Sequence, residues 1–282
     1  MVKIISDSTC DLSPELLERY DVDILPLHIL LGDKEYEDGK TITPDQIYAW
    51  FDETRTTPKT SAPAMADAME LFRPYVEAGR EIVCFSISAS MSTSGNVMRL
   101  AAEELGASDR ITVIDSANLS TGIGLLVIEA AIMAQNNKTA SEIASAIEAL
   151  KPRVRASFVV DTLTYLYHGG RCNAVAAMAG GILKLHPKIV VEDGAMDASK
   201  KYRGKIASVI MAYVKDMEHD LKNAKPERVF ITHSGCSSEI VENVRAYLES
   251  LSVFDEILET RAGGVISSHC GPSTLGVLFI KA

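Results

Sequence analysis

The chain has no matched set of cysteines: Cys10, Cys84, Cys172, Cys236 and Cys270 are odd in number, scattered, and form no C-x-x-C pair. This excludes a disulfide framework or a cysteine zinc site as the organising principle of the fold. Positive charge is scarce, with 28 Lys and Arg against 38 Asp and Glu and a formal net charge of −10. Sequence-independent nucleic-acid binding needs many cationic contacts to phosphate, and anionic membranes also attract cations, so neither partner fits. Long apolar runs are missing. The greasiest stretch, Gly122 to Ala134, is too short to span a bilayer and contains Glu129. The opening Met1 to Ile5 is followed by Ser6 and Asp7 and has no signal-peptide apolar core, so the expectation is a cytoplasmic protein without stable membrane insertion. Walker A, HExxH, GxSxG and GxGxxG motifs are absent, which weighs against standard nucleotide enzymes, zincins and α/β-hydrolases. No repeat or low-complexity segment is visible.

With 47% hydrophobic and 23% charged residues over 282 positions, the composition is that of a soluble globular protein with a sizeable core. Strand-like runs at Val2 to Ile5, Ile24 to Leu31, Glu81 to Ile87 and Ile111 to Ile114 alternate with helical stretches. The helices include one capped by Ser13 with Pro14 at its first position, one opened by a Thr43–Gln46 capping box, and others at Ala64 to Ala78, Ser94 to Leu105 and Leu119 to Gln135. This order predicts a mostly parallel sheet with helices on both faces. A second capping box, Thr139 to Glu142, opens a helix to Leu150, and a domain boundary is placed near Arg155. Beyond it, strands at Ser157 to Val160, Lys188 to Glu192, Arg228 to Thr232, Glu256 to Glu259 and Gly276 to Ile280 alternate with helices at Ala174 to Leu185, Lys205 to Leu221 and Ser238 to Leu251. The fold class is therefore α/β, with domains at 1–155 and 156–282, the first carrying the mostly parallel sheet.

Two hydroxyl-rich loops precede helices: Thr60-Ser61-Ala62-Pro63, and Ser86 to Gly95. A helix N-terminus offers unpaired N–H groups and partial positive charge, and Ser and Thr add rotatable donors and acceptors. Together they suit an acidic headgroup without Lys, Arg or metal. Ser61 and Ser92 are equally readable as plain N-caps. Asp7 to Asp11 and Asp115-Ser116 also lie at carboxyl ends of strands, where α/β proteins bind ligands. Such acids could hold magnesium or act as a base, which gives the alternative of a metal-dependent small-molecule hydrolase or phosphatase using Asp7, Asp115 and a serine. Otherwise they cap helices and tie loops together. Gly169-Gly170-Arg171 permits a tight backbone path and offers a guanidinium for a carboxylate, a phosphate or an interdomain ion pair. The small residues of Ala174 to Gly181 either let backbones pack closely or leave room for a long, thin apolar ligand. His269 and Cys270 lie in a Gly- and Pro-rich turn, but sequence neighbours rarely face each other as a nucleophile pair.

Taken in order, these motifs resemble the DegV family of bacterial fatty-acid-binding proteins across essentially the whole chain. Ser6 to Leu12 is similar to the family's opening D-S-x-x-D segment, Thr60 to Pro63 to its T-S-x-P loop, and Tyr165 to Arg171 to its Y-L-x-x-G-G-R signature. Arg203-Gly204 and His269-Cys270-Gly271-Pro272 match later R-G and H-x-G-P elements. One departure stands out: the family's S-G-T is here Ser92-Thr93-Ser94, or, shifted by two, Ser94-Gly95-Asn96, with Ser92 preferred because the preceding strand stays in step. The resemblance implies two α/β domains with one long-chain fatty acid in a tunnel between or within them. Its carboxylate would meet Thr60, Ser61, Ser92, Ser94 and Gly95, with Arg171, Arg203 and His269 at the pocket mouth or partner-facing surface. It further implies a lipid-binding carrier, not an enzyme, that presents the carboxylate to a separate fatty acid kinase subunit for acyl-phosphate formation. No cofactor and no metal are expected.

Overall fold

The computed structural model describes residues 1–172 and 185–282. Two α/β domains are built on two sheets. In the first, β1 (Lys3–Asp7), β2 (Val22–Leu25), β6 (Ile82–Ser86) and β7 (Ile111–Asp115) run parallel in the order β2-β1-β6-β7. All five residues of β1 and of β6 are buried, as strands covered by helices on both faces must be. The Thr121–Gln135 helix packs against β1 and is buried around most of its circumference, which is why its sequence is apolar without a polar stripe.

The second sheet has the order β10-β9-β8-β13-β11-β12, formed by β8 (Val154–Val159), β9 (Leu185–Glu192), β10 (Ala195–Arg203), β11 (Ala224–His233), β12 (Glu256–Arg261) and β13 (Leu275–Lys281). Only β11 and β12 pair in parallel. One large apolar cluster joins the facing sides of both sheets, from Val2 and Phe85 to Phe158, Val191 and Leu278.

A three-stranded antiparallel sheet, β4-β3-β5, was not foreseen. The run expected as one strand from Ile24 to Leu31 is broken at Pro26-Leu27 into β2 and β3 (His28–Leu31), which belong to different sheets. Proline lacks the N–H that continues a ladder. The acidic segment from Gly32 to Lys40 contains β4 (Lys34–Glu37), and Lys59–Ser61 forms β5 instead of a loop. A helix at Thr164–Gly169 and the strand β10 were likewise unexpected, and the expected Lys205 to Leu221 helix ends at Asp216, with a short second one at Glu218–Lys222. The helix expected from Ala174, with its small-residue stretch, lies outside the described residues, apart from Leu185, which opens β9. No helix among the described residues is long and apolar enough to cross a membrane.

Candidate functional site

The carboxyl ends of β1 and β6 lie side by side, and the chain leaves them in opposite directions, β1 toward β2 and β6 toward β7. Ligands of open α/β sheets settle at such switch points. Here Asp7, the last residue of β1, bridges the gap. Its buried carboxylate accepts from the Ile87 N–H at 2.9 Å and the Ser94 hydroxyl at 2.8 Å, and from Thr9 at 3.2 Å (N–H) and 2.5 Å (hydroxyl). Burial without a cation pushes the Asp7 carboxyl up. The loop from Ile87 to Thr93 is thus tethered to the end of β1 at its start and just after its end.

Beside this loop lies a cavity of about 530 Å³. Its apolar wall includes Leu27, Ile87, Met91, Leu119, Val265 and Ile266, and its hydroxyls come from Thr60, Ser61, Ser90, Ser92 and Thr93. Arg171 is the sole charged side chain in the described lining, which includes no carboxylate. Both hydroxyl-rich segments of the sequence therefore meet at one cavity, each just ahead of the helix expected after it. Thr60 and Ser61 sit on β5, opposite Ile29 and His28 of β3, and the following helix starts at Met65 with Ala64 at its cap. Ser92 precedes Thr93, the cap position of the Ser94–Glu104 helix, and its hydroxyl oxygen accepts the Ser94 N–H at 3.2 Å.

The hydroxyls divide their roles. Ser88 donates to the Gly194 carbonyl at 2.6 Å, and Ser90 donates to the same oxygen, so these two tie the loop to the β9–β10 turn of the second sheet. Ser94 is fully buried on Asp7 and does not line the cavity; nor does Gly95, whose missing Cβ leaves room for Ser86 Oγ, 2.6 Å from where that Cβ would lie. Thr60 bonds across the site: its Oγ1 is 2.8 Å from His269 Nε2. Cross-strand neighbours share a face, so Thr60 projects on the same side as its partner Ile29, which packs on Val265 of the Gly264–Cys270 helix carrying His269.

Burial, aided by the nearby Arg171 charge, pushes the His269 pKa down to about 4, so the ring is neutral at physiological pH. Its Nδ1 is buried without a hydrogen-bond partner among the described residues. Placing the ring proton on Nε2, where Thr60 Oγ1 accepts it, leaves Nδ1 as a lone pair instead of a stranded N–H. The Thr60 hydroxyl hydrogen is then free to donate into the cavity. Arg171 is exposed, lines the cavity, and donates to the Gly169 carbonyl at 2.7 Å and the Met91 carbonyl at 3.5 Å. Arg203 is exposed at the end of β10 and outside the described lining.

His269 and Cys270 end a helix instead of occupying a turn, and burial pushes the Cys270 thiol up to about 12, far from a thiolate. Asp115 accepts the Ala117 N–H at 2.9 Å and the Ala89 N–H at 3.2 Å. Asp7 and Asp115 therefore brace successive parts of one loop, an arrangement that does not favour the hydrolase alternative. Sequence reasoning missed the apolar lining at Leu27, Ile87, Leu119, Met196, Val265 and Ile266, because a cavity wall and a packed core carry the same residue types.

The fold has close counterparts. A DegV domain-containing protein of Deinococcus radiodurans is 30% identical, covering 98% of this chain and 97% of its own. A fatty acid-binding protein of Thermotoga maritima is 29% identical over 98% of this chain and 96% of its own. Among solved structures, one of fatty acid binding by a DegV family protein from Thermus thermophilus superposes with a TM-score of 0.91 at 28% identity, covering 100% of this chain and 99% of that one. A stearic acid-binding protein from Eubacterium ventriosum superposes with a TM-score of 0.85 at 32% identity, covering 100% and 98%. Residues 1–282 match the family described as "Uncharacterised protein, DegV family". The chain therefore belongs to the DegV family.

Proposed function

We propose that this protein is a cytoplasmic carrier that binds one long-chain fatty acid in the cavity and presents its carboxylate to a separate kinase subunit for acyl-phosphate formation. Thr60, Ser61 and Ser92 hold the carboxylate, with Arg171 and His269 beside it and Arg203 on the partner-facing surface. The observation that carries the reading is a single cavity with an apolar wall, a group of hydroxyls and no carboxylate in its described lining. About a dozen buried methylenes contribute on the order of 10 kcal/mol before the cost of association, so the chain supplies most of the affinity. The headgroup contacts need only keep the buried carboxylate from going unpaired. Hydroxyl donors from Thr60 and Ser92 do this while leaving an oxygen open to phosphoryl transfer, which a bidentate arginine would obstruct. The fatty acids named with the Thermus, Thermotoga and Eubacterium relatives support the ligand class.

Mass spectrometry of an organic extract of the purified protein is expected to show a long-chain fatty acid in near-stoichiometric amount. Protein that is empty and binds no added long-chain acid would remove the reading. With a fatty acid kinase subunit and ATP, the loaded protein is expected to yield acyl phosphate, trapped by hydroxylamine as the hydroxamate. A Thr60→Ala, Ser92→Ala variant is expected to lose that product more than it loses bound lipid.

A further inference from the structure

Three buried carboxylates, Asp7, Asp11 and Asp38, surround the 3-10 turn Ser8–Cys10, and none forms an ion pair with a described residue. Asp7 holds the hydroxyl loop, but Asp11 and Asp38 do not line the cavity. They reach instead to a helix far along the chain. Asp11 Oδ1 accepts the Gly263 N–H at 2.8 Å, and Asp38 Oδ1 accepts the Gly264 N–H at 2.7 Å. These are the cap and first residue of the Gly264–Cys270 helix, which has no side-chain cap of its own. Carboxylates from 252 and 226 residues away in sequence do the work of a local cap.

We propose that Asp11 and Asp38 are positioning residues for the ligand site, clamping the helix that carries Val265, Ile266, His269 and Cys270 and so setting where His269 meets Thr60. The glycine pair fits this role: a Cβ at Gly264 would lie 2.6 Å from Ile29 Cδ1 and 2.9 Å from Asp38 Oδ1, and one at Gly263 would lie 3.1 Å from Asp11 Oδ1. Each acid is also tied to a cavity wall. Asp38 donates its N–H to the Leu27 carbonyl at 2.9 Å, while its Oδ2 accepts from Ser8 Oγ at 2.8 Å, an oxygen that itself accepts the Leu27 N–H at 3.1 Å. Asp11 Oδ2 accepts from the Ser120 hydroxyl at 2.5 Å, next to Leu119. Leu27, Leu119 and the His269 helix are thereby referenced to one pair of carboxylates.

The inference rests on the fatty-acid reading for its binding assay only. Asp38→Ala and Asp11→Ala are expected to weaken palmitate binding at least tenfold, whereas Asp38→Asn, whose amide oxygen still accepts from Gly264, stays within about threefold. In ligand-free protein, the ring-nitrogen NMR signals of His269 are expected to shift in Asp38→Ala as the Thr60 bond is lost. Phe72→Leu, under the far face of the first sheet and used as a control for lost stability, should leave them in place. Should Asp38→Ala not fold, Gly264→Ala displaces the same helix start without removing a charge, and the same His269 shift is expected. Unmoved His269 signals in both Asp38→Ala and Gly264→Ala would overturn the clamp, as would Asp38→Ala affinity equal to that of a control with the same fall in Tm. Failure of the wild-type protein to bind palmitate would overturn the ligand class instead, leaving the NMR result to decide the clamp.

Discussion

Gly169 abuts the Nδ1 edge of the His269 ring: a Cβ built on it would sit 2.3 Å from Nδ1 and 3.2 Å from Cε1. The relationship is mirrored one turn away, where a Cβ on Gly271 would press into the Tyr165 ring at 2.5 Å. The Tyr165 to Gly170 and His269 to Pro272 motifs are therefore two halves of one contact, each supplying a ring to the other's glycine. Gly169→Ala must displace the imidazole that bonds Thr60 or shift the Thr164–Gly169 helix, and overpacking of this kind costs about 1–3 kcal/mol. The expected outcome is a lower Tm with a loss of fatty-acid affinity larger than the stability change explains, measured by thermal unfolding and by titration with a fluorescent fatty acid.

Ser92 and Ser94 separate by what they touch. Ser94→Ala deprives the buried Asp7 carboxylate of a donor, which is expected to destabilise the fold by about 1–3 kcal/mol in urea unfolding. Ser92 is half-exposed and faces the cavity, and its hydroxyl accepts the Ser94 N–H, so Ser92→Ala is expected to cost no more than about 1 kcal/mol of stability while impairing carboxylate binding. The reverse pattern would assign the headgroup contact to Ser94.

Much of this was legible in the residues, and the rest was not for reasons of range. Local signals held: Ser13 accepts the Leu16 N–H, and Thr43 with Gln46 and Thr139 with Glu142 form complete capping boxes. The apolar runs of β1, β6 and β7 form the parallel sheet where expected. Thr60 and Ser92, distant in sequence, do share a cavity. What could not be read locally depends on partners far along the chain. Gly263-Gly264 looks like a helix breaker and becomes a helix start only because Asp11 and Asp38 arrive to cap it. Asp38 sits in a stretch that reads as an acidic turn, with nothing to mark it as buried. A sharper signal was available at Pro26, which should have divided the Ile24 to Leu31 run.

Asp11 gives the stability a pH dependence that can be isolated. Burial pushes its carboxyl up to about 8 and that of Asp38 up to about 6, whereas His269 is pushed down to about 4. A raised carboxyl contributes stability that is full below the unfolded pKa of about 4 and is lost as pH rises through its folded value. A lowered histidine acts oppositely: its contribution is present above about 6.5 and is lost as pH falls toward 4. Between pH 6.5 and 8 the remaining contributions of Asp38 and of unfolded His269 are small and opposite in sign, so Asp11 dominates the change among the three. Unfolding free energy is therefore expected to fall by about 1–2 kcal/mol across that window. Asp11→Asn should reduce that fall, as read from urea unfolding at the two pH values.

Headgroup and chain contributions can be parted by plugging the cavity from its hydroxyl side. Ala62 lines the cavity next to Ser61 and is only half-buried, so a large ring there can enter the space without displacing the core. Ala62→Trp is expected to abolish co-purified lipid while keeping the Thr60 and Ser92 hydroxyls. A ligand that binds only the folded state stabilises it by RT ln(1 + [L]/Kd), about 4 kcal/mol at a thousandfold excess over Kd. Stripping lipid from the wild-type protein should therefore lower its Tm and adding it back should restore it, whereas the Tm of Ala62→Trp should respond to neither step. If the variant keeps its lipid and its lipid-dependent Tm, the acyl chain does not occupy this cavity, and the hydroxyls around it serve some other ligand.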